Sequence, residues 1–440
     1  KKNIDELFEF AEEREVELSN IGKFTDSGFL DIRFENEEVA LLEMDFLHNG
    51  VPQKVMEAEW KKPKLSEPEL SQNLNYNEIL VKLMGSFNIC SRESVIRQYD
   101  HEVKGKTIIK PLMGENGKVP QDAAVMRLNF DGFEGLAISN GICPKFGDID
   151  AYEMSAGAFD EALRQIISVG GKLPDVNDNS NRFWTVNDNF CVPDSAFDSE
   201  NNPDGKQKLA KLVQMNEALF DMATFYNIPM TSGKDSMKND FKAGKVKISV
   251  PPTILYSMVA KIDDVRRTIT SNFKAKGDLI YLVGETYDEL GGSEFYKLFD
   301  ELGANVPKIR RENAKRIYHK MMKANDAEII ESSHDISDGG LAVTVAEKAF
   351  SCQFGVEIIL DNCKDISLNA ILFAESHSRF VVSIQSINKY IFEDYFGNDA
   401  RFIGKVTNDA KLQISKGKLP IIDIEVAELI NAWDKGLDKK

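Results

Sequence analysis

The chain has 440 residues, 42% of them hydrophobic and 28% charged, and a formal net charge of −17, the composition of a soluble globular protein of about two to four domains. So acidic a surface argues against nucleic acid and anionic membranes as partners, because both need clustered Lys and Arg, and no apolar run approaches the roughly 20 residues of a membrane span. The five cysteines (Cys90, Cys143, Cys191, Cys352 and Cys363) form no C-x-x-C pair, so zinc is not expected and a reducing, cytoplasmic setting fits.

The start, Lys1-Lys2-Asn3-Ile4-Asp5-Glu6, has no signal-peptide core and no Met, which suggests a chain that begins inside a longer protein. Residues 4–18 read as a short helix with Ile4, Phe8 and Ala11 on one face. Ile21-Gly22-Lys23-Phe24-Thr25, a turn at Asp26-Ser27-Gly28 and alternation through Leu30, Ile32 and Phe34 predict a β-hairpin. Near the other end stand Ile403-Gly404-Lys405-Val406-Thr407, Asn408-Asp409, Leu412 and Ile414. The match runs on through Leu42-Glu43-Met44-Asp45 and Ile422-Asp423-Ile424-Glu425. This is an internal repeat, and it makes residues 1–47 the tail of a domain whose sibling ends near 430. Chance similarity between two hairpins is the bland alternative.

Residues 48–75 read as a Pro- and charge-rich linker with Trp60 as a docking anchor. Helices are predicted over 76–97, 153–168 and 206–226, the last with Leu209, Leu212, Val213, Leu219, Phe220 and Ala223 on its apolar stripe. Strands are predicted over 123–128, 135–139, 183–190 and 253–261, with a Gly-Lys turn before the last. A second domain opens at Gly277-Asp278 with the buried-strand run 279–283. Helices follow near 293–302, 309–324 and 340–350, with strands near 355–360 and 378–385. Mixed elements in both domains predict α+β or α/β layering.

Chemistry-bearing residues cluster in five places. Asp122 stands at the mouth of a strand, where an Asp also serves as a turn former. Glu161 and Gln165, four apart, share a helix face on which two oxygens can hold one metal; a solvated helix face has the same spacing. Asp188-Asn189-Phe190 closes a strand. Thr231-Ser232-Gly233-Lys234-Asp235-Ser236-Met237 lacks the first Gly of a Walker loop. It can still offer Gly N–H groups, the Lys234 charge and the Ser236 hydroxyl to a phosphate, or be a surface loop. In His334-Asp335-Ile336-Ser337-Asp338-Gly339-Gly340, Ser337 or Asp338 can cap a helix that starts at the glycines, whose bare first turn suits an anion. Asp335 belongs beside a phosphate only with Mg²⁺ between them; an ordinary capped helix is the alternative. His377, in Glu375-Ser376-His377-Ser378-Arg379, reads as an exposed structural histidine, with a base as the other option.

Asn88-Ile89-Cys90-Ser91-Arg92-Glu93-Ser94-Val95-Ile96-Arg97-Gln98-Tyr99-Asp100-His101-Glu102-Val103 resembles the segment that opens the second half of phosphoribosylformylglycinamidine synthase. So do Asp122-Ala123-Ala124-Val125, Asp188-Asn189-Phe190-Cys191, Ser232-Gly233-Lys234-Asp235-Ser236-Met237, Pro251-Pro252-Thr253, Glu289-Leu290-Gly291-Gly292-Ser293 and His334 to Gly340. They keep the family's order over residues 88–430, and the resemblance is to its large, multidomain form more than to the short one. That family holds two tandem copies of an aminoimidazole-ribonucleotide-synthetase-like unit. The resemblance therefore implies an α+β fold: 1–47 the tail of a preceding synthetase-like C-terminal domain, 48–87 a linker, 88–268 an N-terminal sheet domain of the second copy, and 269–433 its C-terminal α/β domain.

The implied reaction is ligation. ATP, formylglycinamide ribonucleotide and glutamine-derived ammonia give the amidine, ADP and phosphate, in purine biosynthesis. By motif position the resemblance assigns Mg²⁺ to Asp122, Glu161, Gln165 and Asp335. It assigns an auxiliary ATP or ADP to Gln121, Asp122, Ser337 and Gly339, and one wall of the catalytic site to Asp188, Gly233, Lys234 and Ser236. Gln165 stands where Asn is usual, Gln121 where a small residue is common, and Lys234 where the short form has an Asn on Mg²⁺. The implied partners are the first synthetase-like half and a glutaminase domain or subunit, with a homodimer of this chain as a substitute pairing. The first half's Gly-rich phosphate loop, its His-rich segment and a glutaminase Cys are absent from these residues, so the chain alone is expected to be inactive. Two other readings stay open: an inert nucleotide-holding scaffold, and a complete small kinase or synthetase of the same superfamily.

Overall fold

A computed structural model describes residues 3–71, 73–98, 102–174, 183–244, 246–351 and 354–438. Tyr99-Asp100-His101 and Cys352 lie outside the described residues. The chain divides into two compact units, Lys1–Glu57 and Ala58–Lys440.

The first unit holds α1 (Ile4–Glu12), β1 (Phe29–Phe34), β2 (Glu37–Glu43) and α2 (Met44–Asn49). The hairpin turn is at Glu35-Asn36, both at positive φ, not at Asp26-Ser27-Gly28 as expected. Two consecutive left-handed residues give the turn whose twist suits paired strands. The second unit likewise closes on a hairpin followed by a short helix, so that part of the repeat is visible as structure. Both hairpins slip register at the same repeat position, between Ile32 and Arg33 in one and between Ile414 and Ser415 in the other. Residues 21–25 form no strand, although their sibling 403–407 does.

The second unit opens with a segment whose Trp60 is half-buried. It is pinned where the Lys61 N–H donates to Gln207 Oε1 at 2.7 Å. Helices α3 (Tyr76–Met84) and α4 (Glu93–Ile96) replace the continuous helix expected over 76–97, because the chain breaks at Gly85. Residues 76–84, inside the stretch 48–87 assigned to a linker, bury Leu80, Leu83 and Met84 completely.

Next come β3 (Thr107–Ile109), β4 (Leu112–Met113), β5 (Val119–Pro120), β6 (Ala124–Arg127), β7 (Gly135–Gly141), α5 (Ala151–Ser168), β8 (Trp184–Cys191), α6 (Gly205–Tyr226), β9 (Met230–Ser236), β10 (Asp240–Ala243), β11 (Val246–Ser249) and β12 (Thr253–Ile262). Six of these strands make a sheet in the order β3-β6-β7-β12-β8-β9. Strand β12 alternates buried and half-buried along its length, the signature of a sheet with one packed face. The buried positions Ile254, Tyr256, Met258 and Ala260 meet α5. The other face, with Leu136, Ile138, Leu255 and Val259, is only half covered. The Gly-Lys segment expected to be a loop is β9, an edge strand parallel to β8. On α6 the buried residues are Ala210, Met215, Ala218, Leu219, Met222 and Tyr226, while Val213 and Phe220 face out. The slim Ala and adaptable Met side chains fit close against α5, and this displaced the stripe read from the larger residues.

The second sheet, β14-β16-β13-β17-β15-β18-β19, is built from β13 (Leu279–Val283), α7 (Glu294–Lys297), α8 (Arg311–Asp326), β14 (Ile330–Asp335), α9 (Gly340–Lys348), β15 (Gly355–Ile359), α10 (Leu368–Phe373), β16 (Phe380–Ile384), α11 (Lys389–Phe396), β17 (Ala400–Thr407), β18 (Lys411–Lys416), β19 (Leu419–Glu425) and α12 (Val426–Asp434). Both its faces are covered, so β13 and β16 are nearly all apolar, as a doubly packed strand requires. Helix α7 is much shorter than the 293–302 expected, and the chain turns at Asp300, which has positive φ.

Helix α5 carries the chemistry. It starts two residues before the expected 153 because the Asp150 carboxylate caps it, accepting from the Tyr152 and Glu153 N–H groups. It contacts β7 and β12 on one side and β14 and α8 on the other. A helix packed all round can be apolar all round; here charged residues are buried as well.

Candidate functional site

The second sheet ends β14 at Asp335, and the chain then bends through buried Ile336 into α9. The bend needs glycine twice: Gly339 and Gly340 have φ of +78° and +68°. A Cβ on Gly340 would lie 2.7 Å from the Phe373 carbonyl carbon. Asp122, just before β6, meets this corner. Its Oδ2 accepts from the Asp335 N–H at 3.0 Å, and its Oδ1 lies 2.5 Å from His334 Nδ1. The other His334 nitrogen lies 3.0 Å from Glu347 Oε2. Asp122, His334 and Asp335 each offer one ligand atom, all within 4.8 Å of one another.

From α5, Arg164 reaches into the same corner. Its Nε donates to Asp335 Oδ2 at 2.9 Å, its Nη1 to Asp160 at 3.1 Å, and its Nη2 to Ser337 Oγ at 2.7 Å and to the Ile336 carbonyl at 3.2 Å. The Ser337 hydroxyl donates to Asp335. One turn back, Glu161 Oε2 accepts from the Ile142 N–H at 2.9 Å. With its amide set by the bonds available to it, the Gln165 nitrogen donates to the carbonyls of Asp122 and Asn140, at 3.0 and 2.9 Å. Gln121 turns away, donating to Ser271 Oγ at 2.8 Å and accepting from the Ser271 N–H.

The helix start at Gly339 is not the open anion seat expected, and neither Ser337 nor Asp338 caps it. Glu375 Oε1 accepts from the Gly339 N–H at 2.8 Å and from the Glu294 N–H at 2.9 Å. Beside it lies a cleft of about 270 Å³, walled by Asn88, Arg92, Cys143, Glu294, Asp338 and Glu375 among others.

Electrostatics separates these acids into two sets. Burial raises Asp122, but the adjacent His334 charge and hydrogen bond outweigh it and hold Asp122 low. Burial would lower His334, but Asp122 and Glu347 lift it to about 10, so it is charged. Glu161, Asp338 and Glu375 have no ion-pair partner among the described residues. Burial, with Asp335 adding to it against the pull of Arg164, pushes Glu161 up to about 7. Burial, then Glu294 and Glu161, pushes Glu375 up to about 8. The corner thus holds more carboxylate than Arg164 and His334 neutralise. Such a surplus of buried oxygens fits an oxygen-liganded divalent cation.

Asp122, Glu161, Gln165, Asp335 and Ser337 are therefore brought to one corner. Asp188, Gly233, Lys234 and Ser236 form a second group toward the far edge of the first sheet. There the Lys234 N–H donates to Asp188 Oδ1 at 3.2 Å, and a Cβ on Gly233 would sit 2.4 Å from that oxygen. His377 is buried, not exposed as expected. The reading from sequence missed Arg164, Glu347, Glu375 and the clamping of His334 between Asp122 and Glu347. The one signal for Arg164 was an arginine beside two acids on a helix otherwise apolar.

Comparison with known proteins follows the same lines. Residues 275–416 match the family described as AIR synthase related protein, C-terminal domain. The phosphoribosylformylglycinamidine synthase subunit PurL of Picrophilus torridus is 30% identical over 447 aligned positions, covering 100% of this chain and 55% of that protein. That of Thermoplasma volcanium is 29% identical, covering 99% and 54%. The chain thus spans about half the length of the relatives it matches. Among solved structures, Thermotoga maritima PurL complexed with FGAR superposes with a TM-score of 0.59 at 13% identity, covering 81% of this chain and 54% of that one. The ADP complex of the same protein gives 0.54 at 14%, covering 80% and 51%. Over its full length this chain is similar to phosphoribosylformylglycinamidine synthase subunits PurL, and its residues 275–416 match the AIR synthase related C-terminal domain.

Proposed function

We propose that this chain is one half of a phosphoribosylformylglycinamidine synthase, a cytoplasmic ATP-dependent ligase that converts formylglycinamide ribonucleotide into its amidine with ammonia from a glutaminase partner. The observation that carries the reading is the convergence of Asp122, from the first sheet, and Asp335, from the second, with Glu161 and Gln165 of α5 at one buried corner. Asp122, Glu161, Gln165 and Asp335 are the residues that would hold Mg²⁺, with Ser337 nearest its nucleotide; the Gln121 side chain and the Gly339 N–H are engaged by Ser271 and Glu375 instead. Bound there, Mg²⁺ would neutralise nucleotide phosphate charge. The protein's own part is positional. Arg164 ties α5 to the Asp335 corner, and the Asp122–His334–Glu347 chain fixes the loop before β6. Asp188, Gly233, Lys234 and Ser236 would form a wall of the catalytic site, completed by a first synthetase-like half or, in its place, a second copy of this chain. The domains follow as 88–268 and 269–433 of one synthetase-like unit, with 1–47 the tail of another.

Relatives sharing this chain's full length are named as synthase subunits, which favours this reading over an inert scaffold or a complete small kinase. The test is thermal unfolding of nucleotide-free protein. A ligand that binds only the folded state at a hundredfold excess over Kd stabilises by about 2.7 kcal/mol. Mg-ADP should raise the melting temperature clearly, and ADP with EDTA much less. A melting curve indifferent to Mg-ADP would overturn the nucleotide assignment.

A further inference from the structure

Away from the acidic corner, the ends of β13 and β16 and the entry to α8 enclose a cavity of about 200 Å³. Its lining is cationic in a chain of net charge −17: Lys308, Arg310, Arg316 and Lys364 line it, against Glu285 and Asp399. Behind them, Lys320 and Arg401 share those same two acids, and Arg310 reaches Glu289 at 2.7 Å. Five cationic groups thus share three carboxylates, and Lys308 adds a sixth positive charge. Two are also fixed over one ring, with the Arg310 guanidinium 3.4 Å and the Lys364 ammonium 4.6 Å from the centre of Tyr287.

His377 forms part of the same wall. Its side chain is 8% exposed, and neither ring nitrogen has a hydrogen-bond partner among the described residues. A buried donor and acceptor left unmade are costly, and buried polar groups are nearly always paired. The ring is held in place nonetheless. It lies against Gly157, where a Cβ would come within 2.5 Å of Nε2, and edge-on to Phe146. The next residue, Ser378, has φ of +60° without being glycine. Its N–H and hydroxyl are anchored on Asp160 at 3.1 and 3.0 Å. Strained backbone of this kind persists where the surroundings impose it, and it clusters at ligand sites.

We propose that this cavity binds a small tetrahedral oxyanion, either free phosphate or the phosphate group of a small phosphomonoester. The cluster of Lys308, Arg310, Arg316 and Lys364 would supply the charge, and His377 a hydrogen bond from its ring. The cavity is too small for a whole nucleotide, which separates it from the acidic corner. The proposal does not rest on the ligase reading.

Calorimetric titration with inorganic phosphate in phosphate-free buffer tests it, with ribose 5-phosphate in a parallel arm. Saturable binding of phosphate is expected; tighter binding of the ester would identify the phosphomonoester as the ligand. Lys308→Gln and Lys364→Gln, at accessible positions that leave the fold intact, should each weaken binding about tenfold, the loss of one charge-assisted contact. His377→Asn should weaken it too. Absence of saturable binding of either probe, or binding that both lysine variants leave unaltered, overturns the proposal.

Discussion

Glu161→Gln should make the protein more stable in alkaline buffer and at the same time worse at holding Mg-nucleotide. In the fold this carboxyl titrates at about 7, against an ordinary value of 4.5. Below pH 4.5 it is protonated in both the folded and the unfolded chain and affects neither. Between 4.5 and 7 the folded state keeps a proton that the unfolded state has released, so stability falls as pH rises. Above 7 the whole penalty is present, on the order of 3 kcal/mol for such a displacement. Some of that is relieved by water at a half-buried site, so a gain of about 1–3 kcal/mol is expected for Glu161→Gln at pH 8.5. Gln can keep the acceptor that Ile142 N–H uses at 2.9 Å. Thermal unfolding at pH 5 and pH 8.5, with and without Mg-ADP, separates the contributions. The variant should exceed the wild type only slightly at pH 5, by much more at pH 8.5, and lose most of the Mg-ADP stabilisation. A variant less stable than wild type at pH 8.5, with Mg-ADP stabilisation intact, would refute the reasoning. Glu161 would then be an internally satisfied structural acid.

Asp335→Asn removes the charge that faces Arg164 at 2.9 Å and should cost about 3 kcal/mol or more, the cost of breaking a buried pair. Its Mg-ADP shift should also shrink, checked by the same melts. Gln165→Asn shortens a side chain that spans the carbonyls of Asp122 and Asn140. The loss should be about 1 kcal/mol per bond by urea unfolding, and a neutral result would mean that the amide does not make those bonds. Gly340→Ala forces a Cβ into the Phe373 backbone at positive φ and should destabilise by about 1–3 kcal/mol. The half-covered sheet face around Ile138, Leu255 and Val259 should drive self-association, and sedimentation at micromolar concentration showing only monomer would count against it.

What was legible in the sequence is what periodicity and backbone chemistry determine locally. The run 279–283 reads as a doubly buried strand and is one, and the start of α9 follows from two glycines that tolerate positive φ. The repeat was legible too, because it compares the chain with itself. Where the reading failed, a partner decided the outcome. Residues 21–25 and 403–407 are nearly the same pentapeptide, yet the second is a strand because β13 and β15 flank it, while the first has no such neighbours among the described residues. The segment around Gly233 looked like a loop because Gly, Lys and Ser carry no strand pattern; β8 supplies the ladder that makes it one.

The acidic corner shows the same division at the level of charge. Spacing alone put Glu161 and Gln165 on one face, and the motif put Asp335 at a turn. No local pattern could say that Arg164, between those two on the helix, would point at Asp335 rather than at water. Nor could it say that His334 would be clamped between Asp122 and Glu347. Both facts depend on two sheets closing on α5, and closure changes the sign of the inference. An exposed Arg beside acids is a weak surface pair. A buried one pairs with both Asp335 and Asp160 and leaves Glu161 and Glu375 with no ion-pair partner among the described residues. It is that remainder, rather than the count of acids in the motif, on which the proposed cation site rests. The positions to test are therefore the unpaired carboxyls, with Asp335 as the pair that holds the corner together.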